Sequence, residues 1–189
     1  MKKAILSIAV LSAMGFSAMS QAAPTVGATG LIKFNGSINA DSCVVHSAGA
    51  GSAGGQTLTY DMGSVSVNAL GTEASPMSTG GTITTLPTAM DLQLECPGST
   101  SVELQLTPTL ASGKGIGVTG GAQGVQIMLV QGTQPLDFSM GPVTLSAPST
   151  AGIANIALKA YYTLKASTLV SSVVTGDANG SAAYTLSYN

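Results

Sequence analysis

The sequence predicts an all-β protein, a sandwich of short strands, and three observations carry that expectation. Segments in which apolar and polar residues alternate with period two recur along the chain, as extended segments with one buried side require. Clusters of Gly, Ser, Thr and Pro separate those segments. The one good helical stretch, residues 4–18, lies inside a segment expected to be removed.

That segment has the pattern of a secretory signal peptide. Lys2 and Lys3 give a positive start, residues 4–16 form a short apolar run, and Ser20, Ala22 and Ala23 supply small residues. Cleavage is expected after Ala22, because Pro24 would obstruct a cut after Ala23. The expected organisation is a signal peptide over 1–22, an N-terminal extension over 23–38 and a single domain over 39–189. The apolar run is too short to span a bilayer stably. No later segment is apolar enough to do so, and the mature chain is expected to be exported, either soluble or assembled.

The first alternating stretch is 25–38. It puts Ala28, Gly30, Ile32, Phe34, Gly36 and Ile38 on one face, and Thr29, Lys33, Asn35 and Ser37 on the other. Leu31 is the apolar misfit. Val44 and Val45 continue an extended reading past Cys43, and the Ser, Ala and Gly run over 47–55 reads as a loop. Residues 56–62 alternate Leu58, Tyr60 and Met62 and stop at Gly63; Val65, Val67 and Ala69 repeat the period briefly. Residues 71–81 are rich in turn formers, and Pro87 breaks the β-branched run 82–85.

Two half-buried strands follow. One alternates Met90, Leu92, Leu94 and Cys96 against Asp91, Gln93 and Glu95; the other alternates Val102, Leu104 and Leu106 against Glu103, Gln105 and Thr107. Pro97, Gly98 and Ser99 predict a tight connection between them. Residues 111–124 are glycine-dense, and 125–130 form a strong apolar strand whose neighbourhood ends at Gln134 and Pro135. A short strand is expected over 140–145 and the longest over 153–164, with Ile156, Leu158, Ala160 and Tyr162 on one face. After a loop over 171–180, Ala182, Tyr184, Leu186 and Tyr188 share a face at the C-terminus.

Charge narrows the function classes. In the mature chain four lysines and no arginine stand against eight acids, a net charge of −4. Binding to nucleic acid or an anionic membrane needs clustered positive charge, and both are disfavoured. Only 7% of residues are charged while 44% are hydrophobic, and there is no tryptophan. A surface of Thr, Ser, Gly and Ala in place of charge is expected if much of it is buried against copies of the same chain.

No catalytic set emerges. Residues 115–120 spell G-x-G-x-x-G, but a strand follows instead of the helix that a dinucleotide site requires. His46 is the single histidine, and no G-x-S-x-G accompanies it. Asp91 and Glu95 fall on the solvent side of their strand, as a solvated face and not as a glycosidase pair. Asn35 and Asn179 begin sequons that read better as turn or small-residue positions. No enzyme activity, metal or cofactor is expected. Cys43 and Cys96 are the two cysteines, and in an oxidising compartment such a pair most simply forms one disulfide. The alternatives are two free thiols, or a metal site with His46 that lacks further ligands.

The two ends carry a resemblance. An export signal precedes an alternating segment with Gly30, Ile32 and Phe34 on one face, and Cys43 follows Ile38-Asn39-Ala40-Asp41-Ser42. The chain closes with Gly176, alternating Tyr184 and Leu186, and penultimate Tyr188. Together with Gly124-Val125-Gln126-Ile127 and 156–162, this resembles the subunits of chaperone–usher fimbriae, the type 1 pilin family.

The resemblance implies an incomplete immunoglobulin-like β-sandwich that lacks its last strand, completed by a donor strand from a neighbouring subunit or a chaperone. It implies that Ala28, Gly30, Ile32 and Phe34 are the inward residues of a donor strand. Tyr184, Leu186 and Tyr188 would flank the acceptor groove, and Cys43 and Cys96 match the family's disulfide. The implied partners are identical or related pilin subunits, a periplasmic chaperone and an outer-membrane usher, with the product exported through the periplasm to a surface fimbrium. A minor adaptor or tip subunit is the alternative to a shaft subunit. Leu31 departs from the pattern, since it puts an apolar group on the outward face.

Overall fold

A computed structural model describes residues 43–49, 51–54, 57–77 and 86–189. The expected signal peptide and the 25–38 stretch, with Ala28, Gly30, Ile32 and Phe34, lie outside the described residues, as does the run 82–85. In chain order the strands are β1 (Val44–Gly49), β2 (Gly51–Gly54), β3 (Thr57–Tyr60), β4 (Thr88–Glu95), β5 (Ser101–Pro108) and β6 (Ala111–Ser112). There follow β7 (Gly115–Gly117), β8 (Val125–Gln131), β9 (Gln134–Pro135), β10 (Val143–Pro148), β11 (Ile153–Leu164) and β12 (Ala182–Tyr188).

Two layers face each other. The larger sheet runs β1-β4-β11-β8-β7-β6, with β9 also pairing β8, and the smaller runs β10-β5-β12. β2 and β3 form a hairpin of their own. The sheets are open, and the result is an all-β sandwich of incomplete immunoglobulin type without a closing strand.

Alternation decides the core. Leu92, Leu94 and Cys96 of β4 and its end, Val102, Leu104 and Leu106 of β5, and Ala154, Ile156, Leu158 and Ala160 of β11 are all buried in one cluster. The intervening Asp91, Gln93, Glu95, Glu103 and Gln105 are exposed. Burying each large apolar side chain stabilises by about 1.5–3 kcal/mol, so strands with this period have one stable orientation. β8 differs: Gln126, Met128 and Val130 on its outer face are buried as well as Val125, Ile127 and Leu129. Its continuous apolar run reflects cover on both sides.

Short strands appear where composition predicted loops. β1 extends to Gly49 by pairing Ser47 with Leu92 and Gly49 with Met90, and β2 pairs residues 51–54 with β3. β6 and β7 lie inside the glycine-dense stretch, and Pro135 pairs Val130 across the β8–β9 turn. Backbone hydrogen bonds form these strands, and Gly or Ser side chains give no periodic signal. The strand expected over 140–145 begins at Val143, after the turn in which Gly141 donates its N–H to the Phe138 carbonyl. The brief period at Val65, Val67 and Ala69 ends in a single 3₁₀ turn over Val67–Ala69.

The connection after β4 is as tight as predicted. Ser99 N–H donates to the Cys96 carbonyl at 3.1 Å, and Gly98 takes φ +76°. It nevertheless joins two different sheets, because β4 pairs β1 and β11 while β5 pairs β10 and β12. Cys43 and Cys96 form a disulfide that links the start of β1 to this turn.

Candidate functional site

A cleft of about 1370 Å³ lies beside β12. Sites for small molecules usually measure about 300–1,000 Å³. One wall is chain 173–186, fourteen consecutive residues that include the first five of β12. A second part of the lining is 57–65, with the start of β1. Between them lie core side chains of both sheets, among them Leu104, Leu106, Ile116, Ile127 and Leu129.

Each wall follows from its sequence. β12 alternates, so Ala182, Tyr184 and Leu186 are half-buried against the core while Ala183, Thr185 and Ser187 are exposed. β12 pairs β5, with Leu186 opposite Leu104, and is the edge strand of its sheet among the described residues. Leu58, Tyr60 and Met62 are half-buried in the same core from the other wall. The backbone of β3 pairs only β2, while the Tyr60 hydroxyl accepts a hydrogen bond from Ser47 of β1 at 3.1 Å.

Residues 173–181 are held as a rail, not a free loop. Val174 pairs Gln123 and Asn179 pairs Thr119 in isolated bridges. The Tyr162 hydroxyl donates to the Ala178 carbonyl at 2.7 Å. Burial, and secondarily the negative charge of Asp61, raises the Tyr162 hydroxyl above its ordinary value of 10. Gly176 lies so close to residues 121 and 122 that an added Cβ would sit 3.0 Å from the Ala122 nitrogen.

The structure brings Tyr184 and Leu186 to the cleft together, whereas Tyr188 lies beyond its lining and is 39% exposed. Cys43 lines one end of the cleft; its partner Cys96 is buried in the core. Alternation pointed to Leu58, Tyr60 and Met62 as a strand, but not to their place in this wall. Tyr162 and the 173–181 rail were likewise invisible as site residues.

No catalytic arrangement accompanies the cleft. His46 is exposed and sits 3.3 Å from Glu95 on the outer face of the larger sheet. Among the described residues no group of three or more His, Cys, Asp and Glu could hold a metal ion, and no helix is long and apolar enough to cross a membrane. The G-x-G-x-x-G stretch begins as strand β7 and meets no helix.

No protein-family model and no curated protein matches the chain. Solved structures do. The P pilus rod subunit PapA is 19% identical, with a TM-score of 0.52 over 74% of this chain and 97% of that one. A subunit of a chaperone–usher pilus solved to explain rod uncoiling is 19% identical, with a TM-score of 0.55 over 88% of this chain and all of the other. The CupB6 tip adhesin from Pseudomonas aeruginosa is 22% identical with a TM-score of 0.46, and the match spans 53% of this chain and 30% of the adhesin. The two pilus subunits show that the chain has the pilin fold.

Proposed function

We propose that this chain is a structural subunit of an adhesive surface fimbria, polymerising by donor-strand exchange after chaperone–usher export. The observation that carries this reading is the apolar cleft beside an edge strand, in a sandwich whose fold is that of pilus rod subunits. A β-strand laid along such an edge gains main-chain hydrogen bonds, and its alternate side chains fill the space between the walls. Residues 23–38 of a second copy have the required pattern, with Ala28, Gly30, Ile32 and Phe34 directed inward. Before that strand arrives, an exposed apolar cleft and a strand edge invite aggregation. A periplasmic chaperone would cover them, and an outer-membrane usher would pass the subunit to the surface.

Deleting residues 23–34 tests the reading. The truncated chain should still bind a chaperone but fail to donate to a partner, and fibres built from it alone would overturn the proposal. Copies per filament, counted by quantitative mass spectrometry, separate a shaft subunit from a minor adaptor or tip subunit.

A further inference from the structure

Two of the five methionines among the described residues, Met62 and Met90, line the cleft. The alternation of β4 turns Met90 inward with Leu92 and Leu94, and Met62 follows Leu58 and Tyr60 at the same period. Both pack on the core and both are half-buried, so part of each residue meets solvent while the cleft is open. None of the other three lines the cleft: Met140 is 95% exposed, Met77 is 41% exposed and Met128 is fully buried. A thioether is flexible and polarisable, and suits a surface that must fit strands of differing shape. It is also an apolar side chain that a peroxide makes polar. The neighbouring cleft side chains Leu104, Leu106 and Ile127 offer a sulfoxide oxygen no hydrogen-bond donor.

We infer that Met62 and Met90 form a peroxide-sensitive site, at which oxidation to the sulfoxide keeps a strand out of the cleft. The inference rests on the donor-strand reading above. The sulfur lone pair attacks one oxygen of hydrogen peroxide, and the S–O bond forms as the O–O bond breaks. The leaving hydroxide takes the proton of the transferred oxygen and departs as water; sulfur loses two electrons and the peroxide gains them. In the open cleft, water solvates the new S–O group. An inserted strand removes that water and buries an acceptor without a donor, a cost that falls on assembly and not on folding. The same strand shields the thioethers, so the site reacts before assembly and is protected after it. Met140 is an internal control. Its turn is held without its side chain, because Asp137 accepts from Ser139 and pairs Lys114, and the Gly141 N–H donates to the Phe138 carbonyl.

The test uses the full mature chain, refolded from denaturant and treated with hydrogen peroxide either before or after detergent-resistant oligomers form. Peptide mapping by mass spectrometry reads the sulfoxide at each methionine, and unheated gels read the assembly rate. Before assembly Met140 should react fastest and Met128 slowest, with Met62 and Met90 between them. In oligomers Met62 and Met90 should react more slowly, with Met128 still the slowest. Chain carrying both sulfoxides should assemble roughly fivefold or more slowly than untreated chain, with its thermal melt little changed. Met62→Leu with Met90→Leu, close in volume and inert to peroxide, should assemble at one rate with and without treatment. Oxidised wild type assembling at the untreated rate would overturn the inference. So would an equal loss in the leucine variant, or Met62 and Met90 reacting no faster than Met128. Should the leucine variant fail to fold, the wild-type maps before and after assembly still decide. Ile32→Asp in parallel separates the two claims. Its unhindered assembly removes the donor-strand reading, whereas unhindered assembly of oxidised wild type removes the peroxide-sensitive site alone.

Discussion

The hydroxyl of Tyr162 donates to the carbonyl of Ala178 at 2.7 Å, tying the longest strand of the larger sheet to the chain that leads into the last strand of the smaller. One cleft wall therefore depends on a side chain from the opposite layer. Tyr162→Phe removes this hydrogen bond and leaves a carbonyl to be satisfied elsewhere, with an expected loss of about 1 kcal/mol. Hydrogen exchange should show 173–181 losing protection while β4 and β11 keep theirs.

The same residue sets an alkaline limit. Burial raises the hydroxyls of Tyr161 and Tyr162 above 10 in the folded chain. Above pH 10 the unfolded chain releases these protons first, so the folded state binds more protons and stability falls as pH rises. Below the unfolded value the stabilisation is fully present. Thermal melts from pH 8 to 11 should fall more steeply for wild type than for the Tyr161→Phe, Tyr162→Phe double variant.

Removing the disulfide tests its contribution. Cys43 and Cys96 are 53 residues apart, and the chain-entropy relation assigns a loop of that length about 4 kcal/mol. Urea denaturation of the Cys43→Ser, Cys96→Ser variant should show a lower midpoint by a corresponding amount.

Gly176→Ala should harm the rail and spare the core. Its Cβ would meet backbone atoms of residues 121 and 122 at 3.0 Å, and neither neighbour is a flexible side chain that can swing away. Relieving that contact moves the rail outward and costs about 1–3 kcal/mol. Assembly should slow, with the melting cooperativity of the sandwich unchanged.

The face proposed for the donor strand is testable by paired charges. On that proposal Ile32→Asp puts a carboxylate on the inward face and should abolish assembly, whereas Leu31→Asp on the outward face should be much milder. Reversal of the two effects in the oligomer assay would place the strand one residue out of register, because each one-residue slip exchanges the faces.

Much of the sandwich was legible because its long strands bury one face. β4, β5 from Val102 and β11 up to Ala160 alternate exposed residues with buried or half-buried ones, and the expected span of β11 coincides with Ile153–Leu164. β2, β6, β7 and β9 were not legible, since Gly, Ser, Gln and Pro give no hydrophobic rhythm and backbone pairing alone creates them. Nor could local sequence show that Pro97 to Ser99 connects two sheets: the partners of β4 lie near residues 44 and 153, those of β5 near 143 and 182. The cleft was half legible. Tyr184 and Leu186 announce themselves by alternation, but the second wall at 57–65 depends on chain tracing between distant elements.

The position of Cys43 has a mechanical consequence. Tension arriving through the residues before it would meet β1 at its first pair, Val44 against Glu95, the geometry in which strands unzip by losing their hydrogen bonds in succession. The covalent bond to Cys96 intercepts that force before the first pair is loaded and delivers it to a fully buried residue at the end of β4. From there the pull divides between a central strand of one sheet and, through residues 97–100, the central strand of the other. A fibre joined through these extensions would bear load across its subunit cores and not by peeling their outermost strands.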